Sequence, residues 1–256
     1  MKMHCLGTAG YHPSETRHTS CFFIPEARLM LDAGSGLFRV EPLLESEEIS
    51  VVLSHAHLDH VFGLTFFLDF VAVTPLQKIH VYGERNKLEA VRKHLFSELL
   101  FPVLPPIVWH SIEDLGRSFR IGNVECRWFS MDHPGGSVGY RFDWQNLSLA
   151  YITDTTAARH APYWREIQGV DWLIHECNFT DQWIDLAIKT GHSWTSAVLE
   201  CAAQAHIQRL ILTHINPLAG NKDPLEIDKY LEQGGNHLPS KLVIAQDSMV
   251  IDLSSL

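Results

Sequence analysis

The eight residues Leu53–His60, LSHAHLDH, place three imidazoles and a carboxylate within six positions, directly behind the apolar run ISVVL. Imidazole nitrogens and carboxylate oxygens are the ligands that a zinc-like divalent cation takes, three or four at a time, at about 2.0–2.2 Å. His55 and His57 alternate by two, so an extended segment leaving a strand directs both to one side. Asp59 and His60 follow on a turn, displaced far enough to serve a second ion. The cluster therefore reads as two incomplete metal sites, each in need of ligands from other segments.

Three later segments offer them. SMDHPGG holds His133 in a glycine-rich turn after the strand-like ECRWFS. YITDTT holds Asp154 at a strand end, where one carboxylate can bridge two cations through its two oxygens. LILTHINP holds His214 at another strand end. Taken singly each is an ordinary structural residue. Their common position at strand ends is the signal.

The elements that must position these groups are legible as short runs rich in Val, Ile and Leu: ISVVLSH (49–55), LSLAYITD (147–154), VDWLIHE (170–176) and RLILTH (209–214). Such runs read as buried strands, and ligands gather at the carboxyl ends of strands in helix-covered sheets. Between them NKLEAVRKHLFSELL (86–100) and SWTSAVLECAAQAH (193–206) show apolar residues at helical spacing, the second with Ser193 as N-cap. KLVIAQDSMVIDL reads as two strands around an Asp-Ser turn. Strands and helices in both halves predict an α/β sandwich with sheets inside and helices outside.

Composition narrows the classes. A chain of 256 residues with 46% hydrophobic and 20% charged residues builds a sizeable core. No stretch approaches the roughly 18–20 consecutive apolar residues of a membrane span, and MKMHCLGTAG does not read as a secretory leader. Five scattered cysteines without a C-x-x-C motif fit a reducing, cytoplasmic compartment. A formal net charge of −10 argues against extended nucleic-acid binding, which needs clustered Lys and Arg. A phosphorylated substrate stays compatible, because bound cations invert the local field.

The chain resembles the metallo-β-lactamase superfamily, whose H-x-H-x-D-H hallmark is met by His55, His57, Asp59 and His60. The resemblance implies one domain, residues 1–256, built as a four-layer αβ/βα sandwich of two packed α/β halves with a two-metal site. His55, His57 and His133 would hold one ion; Asp59, His60 and His214 the other; Asp154 would bridge. The ions would be zinc, with manganese or iron as alternatives, since such ligands accept all three. Asp59 would also orient the nucleophilic water.

A finer resemblance, to the ribonuclease Z branch, rests on LGTAGYHPSETRHTS, LDAGSG, GYRF, TDTT and above all IHECNF…GHSWTSA. It implies that Glu176 and His192 form a pair in which the imidazole protonates the leaving oxygen. A carboxylate beside the ring fixes its tautomer and favours its protonated form near neutral pH. The departures concern substrate handling. Only twenty residues separate His133 from Asp154, too few for the arm with which ribonuclease Z grips tRNA. Ser35 and Leu37 replace the usual Glu and Thr, and Asn216-Pro217 replaces the Ser-x-Arg-Tyr ending. The expected function is a phosphodiesterase for a small or short-oligonucleotide diester, with a homodimer left open. A carbonyl-directed hydrolase of lactones, thioesters or β-lactams, an iron oxidoreductase, and a non-catalytic scaffold are the rivals.

Smaller expectations concern single residues. Asp32 braces the metal loop by hydrogen bonds. Arg17 and Ser20 reach the substrate or lie in a surface loop. His175 points away from Glu176, and Phe66, Phe67 and Phe70 serve the core or a dimer contact. The histidines elsewhere, His160 and His237 among them, carry no role.

Overall fold

A computed structural model of the chain describes residues 1–158, 161–220, 222–232 and 238–254; His160 and His237 lie outside them. The chain divides into two compact units, Met1–Val124 with Gln246–Leu256, and Glu125–Ala245.

The first unit is built on a seven-stranded sheet. Its strands are β1 (Lys2–Gly7), β2 (Cys21–Ile24), β3 (Leu29–Leu31), β4 (Glu48–Val52), β5 (Lys78–Gly83), β6 (Ile107–Ser111) and β14 (Val250–Asp252), in the order β14-β1-β2-β3-β4-β5-β6. Strands β3 to β6 run parallel, β14 to β3 antiparallel. Alternation decides the faces: Ile49, Val51 and Leu53 join one buried cluster with Leu64, Phe67, Phe70 and Leu88 from the helical segments. Phe67 and Phe70 are thus core residues, and Phe66 packs partly buried against them.

The second sheet contains β7 (Ser118–Ile121), β8 (Val124–Met131), β9 (Ser137–Trp144), β10 (Leu147–Ile152), β11 (Trp172–Glu176), β12 (Arg209–Thr213) and β13 (Lys241–Ile244), in the order β13-β12-β11-β10-β9-β8-β7. Strands β10 to β13 are parallel. The residues of β10, β11 and β12 are buried almost without a break, as expected for parallel strands covered on both faces, while the edge strand β13 is only partly buried. Leu173, Leu210 and Leu212 cluster with Val198, Cys201 and Ala202 of the helix Thr195–Gln204, which is the apolar stripe read from the sequence. β9 and β10 form a hairpin in which Trp144 pairs with Leu147, so the interval between His133 and Asp154 holds a strand, a tight turn and a strand.

Two expectations are corrected. The helix expected over 86–100 is helical only over Arg85–Ala90 and, as a wider π turn, Val91–Leu95. The π turn shifts the phase of the apolar stripe, and Pro102, Pro105 and Pro106 bar any resumption. Leu99 and Leu100 are therefore 97% and 72% exposed. Ser193 is not an N-cap: Trp194 holds that position, with no side-chain cap bond. The two strands read in KLVIAQDSMVIDL are present as expected, β13 and β14, one in each sheet.

Glycines at 34 and 36 permit a close backbone approach in the first unit. A Cβ on Gly34 would lie 2.3 Å from the carbonyl oxygen of Asp59 and 2.7 Å from that of Ser20. Both are backbone atoms, and the Ser20 carbonyl already accepts the Gly34 N–H, so they cannot give way cheaply. Gly34→Ala is expected to lower unfolding stability by about 3 kcal/mol, the upper range of overpacking costs, as a shift in denaturant midpoint. An unchanged midpoint would show that the segment is looser than this packing.

Candidate metal and proton-transfer site

The first unit holds a compact imidazole cluster where β4 ends. His55 and His60 are buried, Asp59 is half-buried and His57 is exposed. The His55 ring centroid lies 4.4 Å from that of His57 and 4.3 Å from that of His60. Asp59 and His60 sit in the short helix Leu58–Val61 that opens at His57. The His60 Nε2 lies 3.3 Å from Asp59 Oδ2, an oxygen that also accepts the Tyr11 N–H at 2.7 Å.

Asp32 organises this cluster from beneath. It is fully buried and directly follows β3. Its Oδ1 accepts the Ser54 N–H at 2.7 Å; its Oδ2 accepts the Ser54 hydroxyl at 2.8 Å and contacts His60 Nδ1 at 2.8 Å. A carboxylate is an acceptor, so His60 carries its proton on Nδ1 and presents the lone pair of Nε2. This is the outer-shell arrangement that sets a metal-binding imidazole.

In the second unit the groups stand at the carboxyl ends of neighbouring parallel strands. Asp154 follows β10, Glu176 ends β11 and His214 follows β12. Asp154 Oδ1 lies 3.2 Å from His214 Nε2, and its Oδ2 lies 3.6 Å from His133 Nε2. His133 donates from Nδ1 to the Gly191 carbonyl at 2.9 Å, which leaves Nε2 as a lone pair. Burial lowers the His133 pKa, opposed by Asp154 and the Gly191 bond. The neutral, ligand-competent ring is therefore its favoured form.

Glu176 is fully buried, and every contact of its carboxylate is a donor. Oε1 accepts the Thr155 N–H at 2.8 Å and meets His192 Nδ1 at 3.1 Å; Oε2 accepts the Ser193 N–H at 3.2 Å. His192 is thereby oriented with Nε2 directed away from Glu176. Its ring stacks on His214 at 5.2 Å between centroids. Ligand atoms of Asp154, His192 and His214 lie within 4.8 Å of one another, so the His192 ring stands beside two candidate metal ligands.

The structure adds residues that sequence reasoning missed. Ser193 joins two loops: its hydroxyl donates to the Thr155 carbonyl and accepts the Ala157 N–H. Asn178 donates to the His214 carbonyl at 3.0 Å and contacts His214 Nδ1 at 3.2 Å. His175, next to Glu176, turns to Tyr163 at 2.9 Å, opposite in the strand alternation as expected. Ser20 is wholly buried and does not reach a substrate. Arg17 donates to the Thr8 hydroxyl at 2.6 Å.

The donor set fits divalent cations: His60 and His133 hold their protons on Nδ1 against acceptors and present Nε2, with carboxylate oxygens of Asp59 and Asp154 beside them. Asp32→Asn is expected to lower zinc affinity about 10–100-fold, as outer-shell losses do, measured by competition with a chromophoric chelator. Unchanged affinity with an unchanged fold would show that His60 is set by other contacts.

Comparison with known proteins places this geometry. The model of the Beta-lactamase superfamily domain matches residues 27–215. A protein named ribonuclease Z from Crocosphaera subtropica is 25% identical over 311 aligned positions, covering 99% of this chain and 98% of its own. That alignment is longer than this chain of 256 residues, so the relative contains stretches with no counterpart here. The crystal structure of human tRNase Z, short form, superposes with a TM-score of 0.76 at 20% identity, covering 100% of both chains. The metallo-beta-lactamase fold protein YhfI from Bacillus subtilis gives 0.76 at 22% identity, covering 98% of this chain and 99% of its own. The two mixed sheets with their helices are the metallo-β-lactamase fold, consistent with the αβ/βα sandwich expected. The chain belongs to the β-lactamase superfamily.

Proposed function

We propose that the protein is a metal-dependent hydrolase of phosphodiesters, acting on a small or short diester rather than on folded tRNA. The observation that carries the reading is the Glu176–His192 pair, held at 3.1 Å beside His214 and Asp154. A carbonyl-directed hydrolase releasing a thiolate has little need of such a proton donor; a diester expelling an alkoxide does. Relatives named ribonuclease Z align over nearly the whole chain and support the same chemistry.

In this reading His55, His57, His133, Asp59, His60, His214 and Asp154 would be the residues that hold the cations, His55, His57 and His133 serving one, Asp59, His60 and His214 the other, and Asp154 both. The cations are zinc, with manganese or iron as substitutes. When bound, such ions supply Lewis acidity toward phosphoryl oxygens and lower the pKa of water. The chain's own groups do the rest. Asp59 orients the attacking water, held in place by the Tyr11 N–H. His192 gives its Nε2 proton to the leaving oxygen, and Glu176, fixed by two backbone N–H groups, holds that ring in register.

The tight β9–β10 hairpin occupies the interval where ribonuclease Z carries its arm, and the formal charge is −10. Both favour a small substrate over a long polyanion. Five free cysteines, all buried, fit the cytoplasm, and no helix among the described residues is long and apolar enough to cross a membrane.

Hydrolysis of bis(p-nitrophenyl) phosphate should depend on added zinc or manganese and exceed that of nitrocefin, a lactone and a thioester measured beside it. No turnover of any phosphodiester by fully loaded protein refutes the reading. His192→Ala should retain its metal by elemental analysis. It should lose about 100-fold or more in kcat on diesters with alkyl leaving groups, and far less on p-nitrophenyl esters. Equal loss on both, or loss of metal, assigns His192 to ligation instead.

A further inference from the structure

Residues 99–109 of the first unit, LLFPVLPPIVW, are eleven apolar and aromatic residues without one charge. A run of roughly 10–14 apolar residues is too short to span a bilayer and reads as a buried core helix or an interfacial segment. Here it is not a core helix. The preceding helical stretch stops at Leu95, and Leu99, Leu100, Val103 and Leu104 all stand exposed, the last two at 60% and 61%. Surfaces scatter such side chains singly; a contiguous group of them marks an interaction site.

The segment is built to hold them out. Its inward residue, Phe101, sets its ring edge-on to Phe96 at 5.4 Å between centroids, and Phe96 meets Trp109 of β6 at 6.1 Å. The Leu100 and Phe101 N–H groups both donate to the Ser97 carbonyl, which closes a turn with Leu99 and Leu100 on its outside. Pro102, Pro105 and Pro106 restrict the backbone beyond it. Because the helix ends early, a cavity of about 620 Å³ is left beside this tip, where Phe96, Ile107 and Trp109 share the lining with exposed Glu89, Arg92 and Lys93.

Charge names the partner. Arg92, Lys93 and His94 fill the last turn of the helix, and neither Arg92 nor Lys93 makes an ion pair among the described residues. From Arg92 to Trp109 the formal charge is +1, two cations against Glu98, in a chain of −10. Cations beside bare aliphatic side chains match an anionic lipid surface, where phosphates meet the first and acyl chains the second. Lipid conforms to a projecting tip and to a hollow alike; a protein partner would have to match both.

We propose that residues 97–104 dock this protein on an anionic bilayer surface, the aliphatic tip entering the acyl boundary while Arg92 and Lys93 meet lipid phosphates. The strands keep this contact away from the imidazole cluster of the same unit. Ile49 of β4, Ile79 of β5 and Ile107 of β6 are in parallel register. The segment therefore enters the sheet at the level where β4 begins, whereas His55–His60 follow where β4 ends. The inference is independent of the phosphodiesterase reading.

The full chain is floated with vesicles of mixed phosphatidylcholine and phosphatidylserine, and in parallel with vesicles of phosphatidylcholine alone. Capture by the mixed vesicles, falling as salt is raised, is expected, with little capture by the neutral ones. Leu99→Ser combined with Leu100→Ser should lower the partition coefficient at least about tenfold, and Arg92→Gln and Lys93→Gln about fivefold each. All four side chains are exposed, so the unfolding midpoint and any hydrolysis of bis(p-nitrophenyl) phosphate should stay those of the parent. No capture by the mixed vesicles, equal capture by both kinds, or capture that the two leucine substitutions leave unchanged overturns the assignment. So does a dimer, seen by light scattering without vesicles and dissolved by the same two substitutions, which gives the tip to a second copy of the chain.

Discussion

A carboxylate withdrawn from water must have its oxygens met by donors, because an unmet buried charge costs several kcal/mol. This constraint governs both units. Asp32 and Glu176 are each fully buried at or just past a strand end. Each collects backbone N–H groups from a loop distant in sequence, Ser54 for Asp32, and Thr155 and Ser193 for Glu176. Each then has one direction left, and an Nδ1 fills it: His60 in the first case, His192 in the second. The loops are tied down and the rings oriented by the same bonds. The opposite ring nitrogen, Nε2, is what remains for chemistry.

A second device is backbone conformation. Asp32, Asp154 and His214 all adopt left-handed φ, at 53°, 46° and 56°, which non-glycine residues hold at a cost of order 1–3 kcal/mol. Each stands one or two residues past the end of a strand with a parallel neighbour, where the chain must turn off the sheet. Tertiary bonds hold the turns. Asp32 donates its N–H to the Val52 carbonyl; the Asp154 carbonyl accepts the Ser137 hydroxyl at 2.7 Å; the His214 carbonyl accepts the Asn178 amide at 3.0 Å. Glycine would relieve the strain at all three places and could supply no ligand atom.

Legibility in the sequence followed the range of the interaction. The strands ending at Val52, Ile152, Glu176 and Thr213 were readable because burial on both faces leaves an unbroken apolar run. The first histidine cluster was readable because its members are sequence neighbours. Ser193 was misread as an N-cap, since a serine before a helical stripe carries the local signature of one; its actual partners, Thr155, Ala157 and Glu176, are 38, 36 and 17 residues away. Asn178 carried no signal, because its contact with His214 forms only where two loops meet. The helix expected to Leu100 failed on a rule visible in the chain, three prolines within five residues.

The loops after β11 and β12, which line a cavity of about 490 Å³, also hold two of the candidate imidazoles through very few bonds. Asn178 donates to the His214 carbonyl, and its Oδ1 accepts from Asn216, whose own Oδ1 accepts the Leu218 N–H. In the loop after β11, Thr180, Asp181 and Trp183 follow directly from Phe179, whose carbonyl accepts the Thr195 N–H and whose N–H donates to the Ser193 carbonyl. The Ser193 N–H in turn donates to Glu176, which meets His192 Nδ1. A displacement of either loop therefore bears on His214 or on the Glu176–His192 pair, so the packing of these loops and the alignment of the two rings cannot be varied independently.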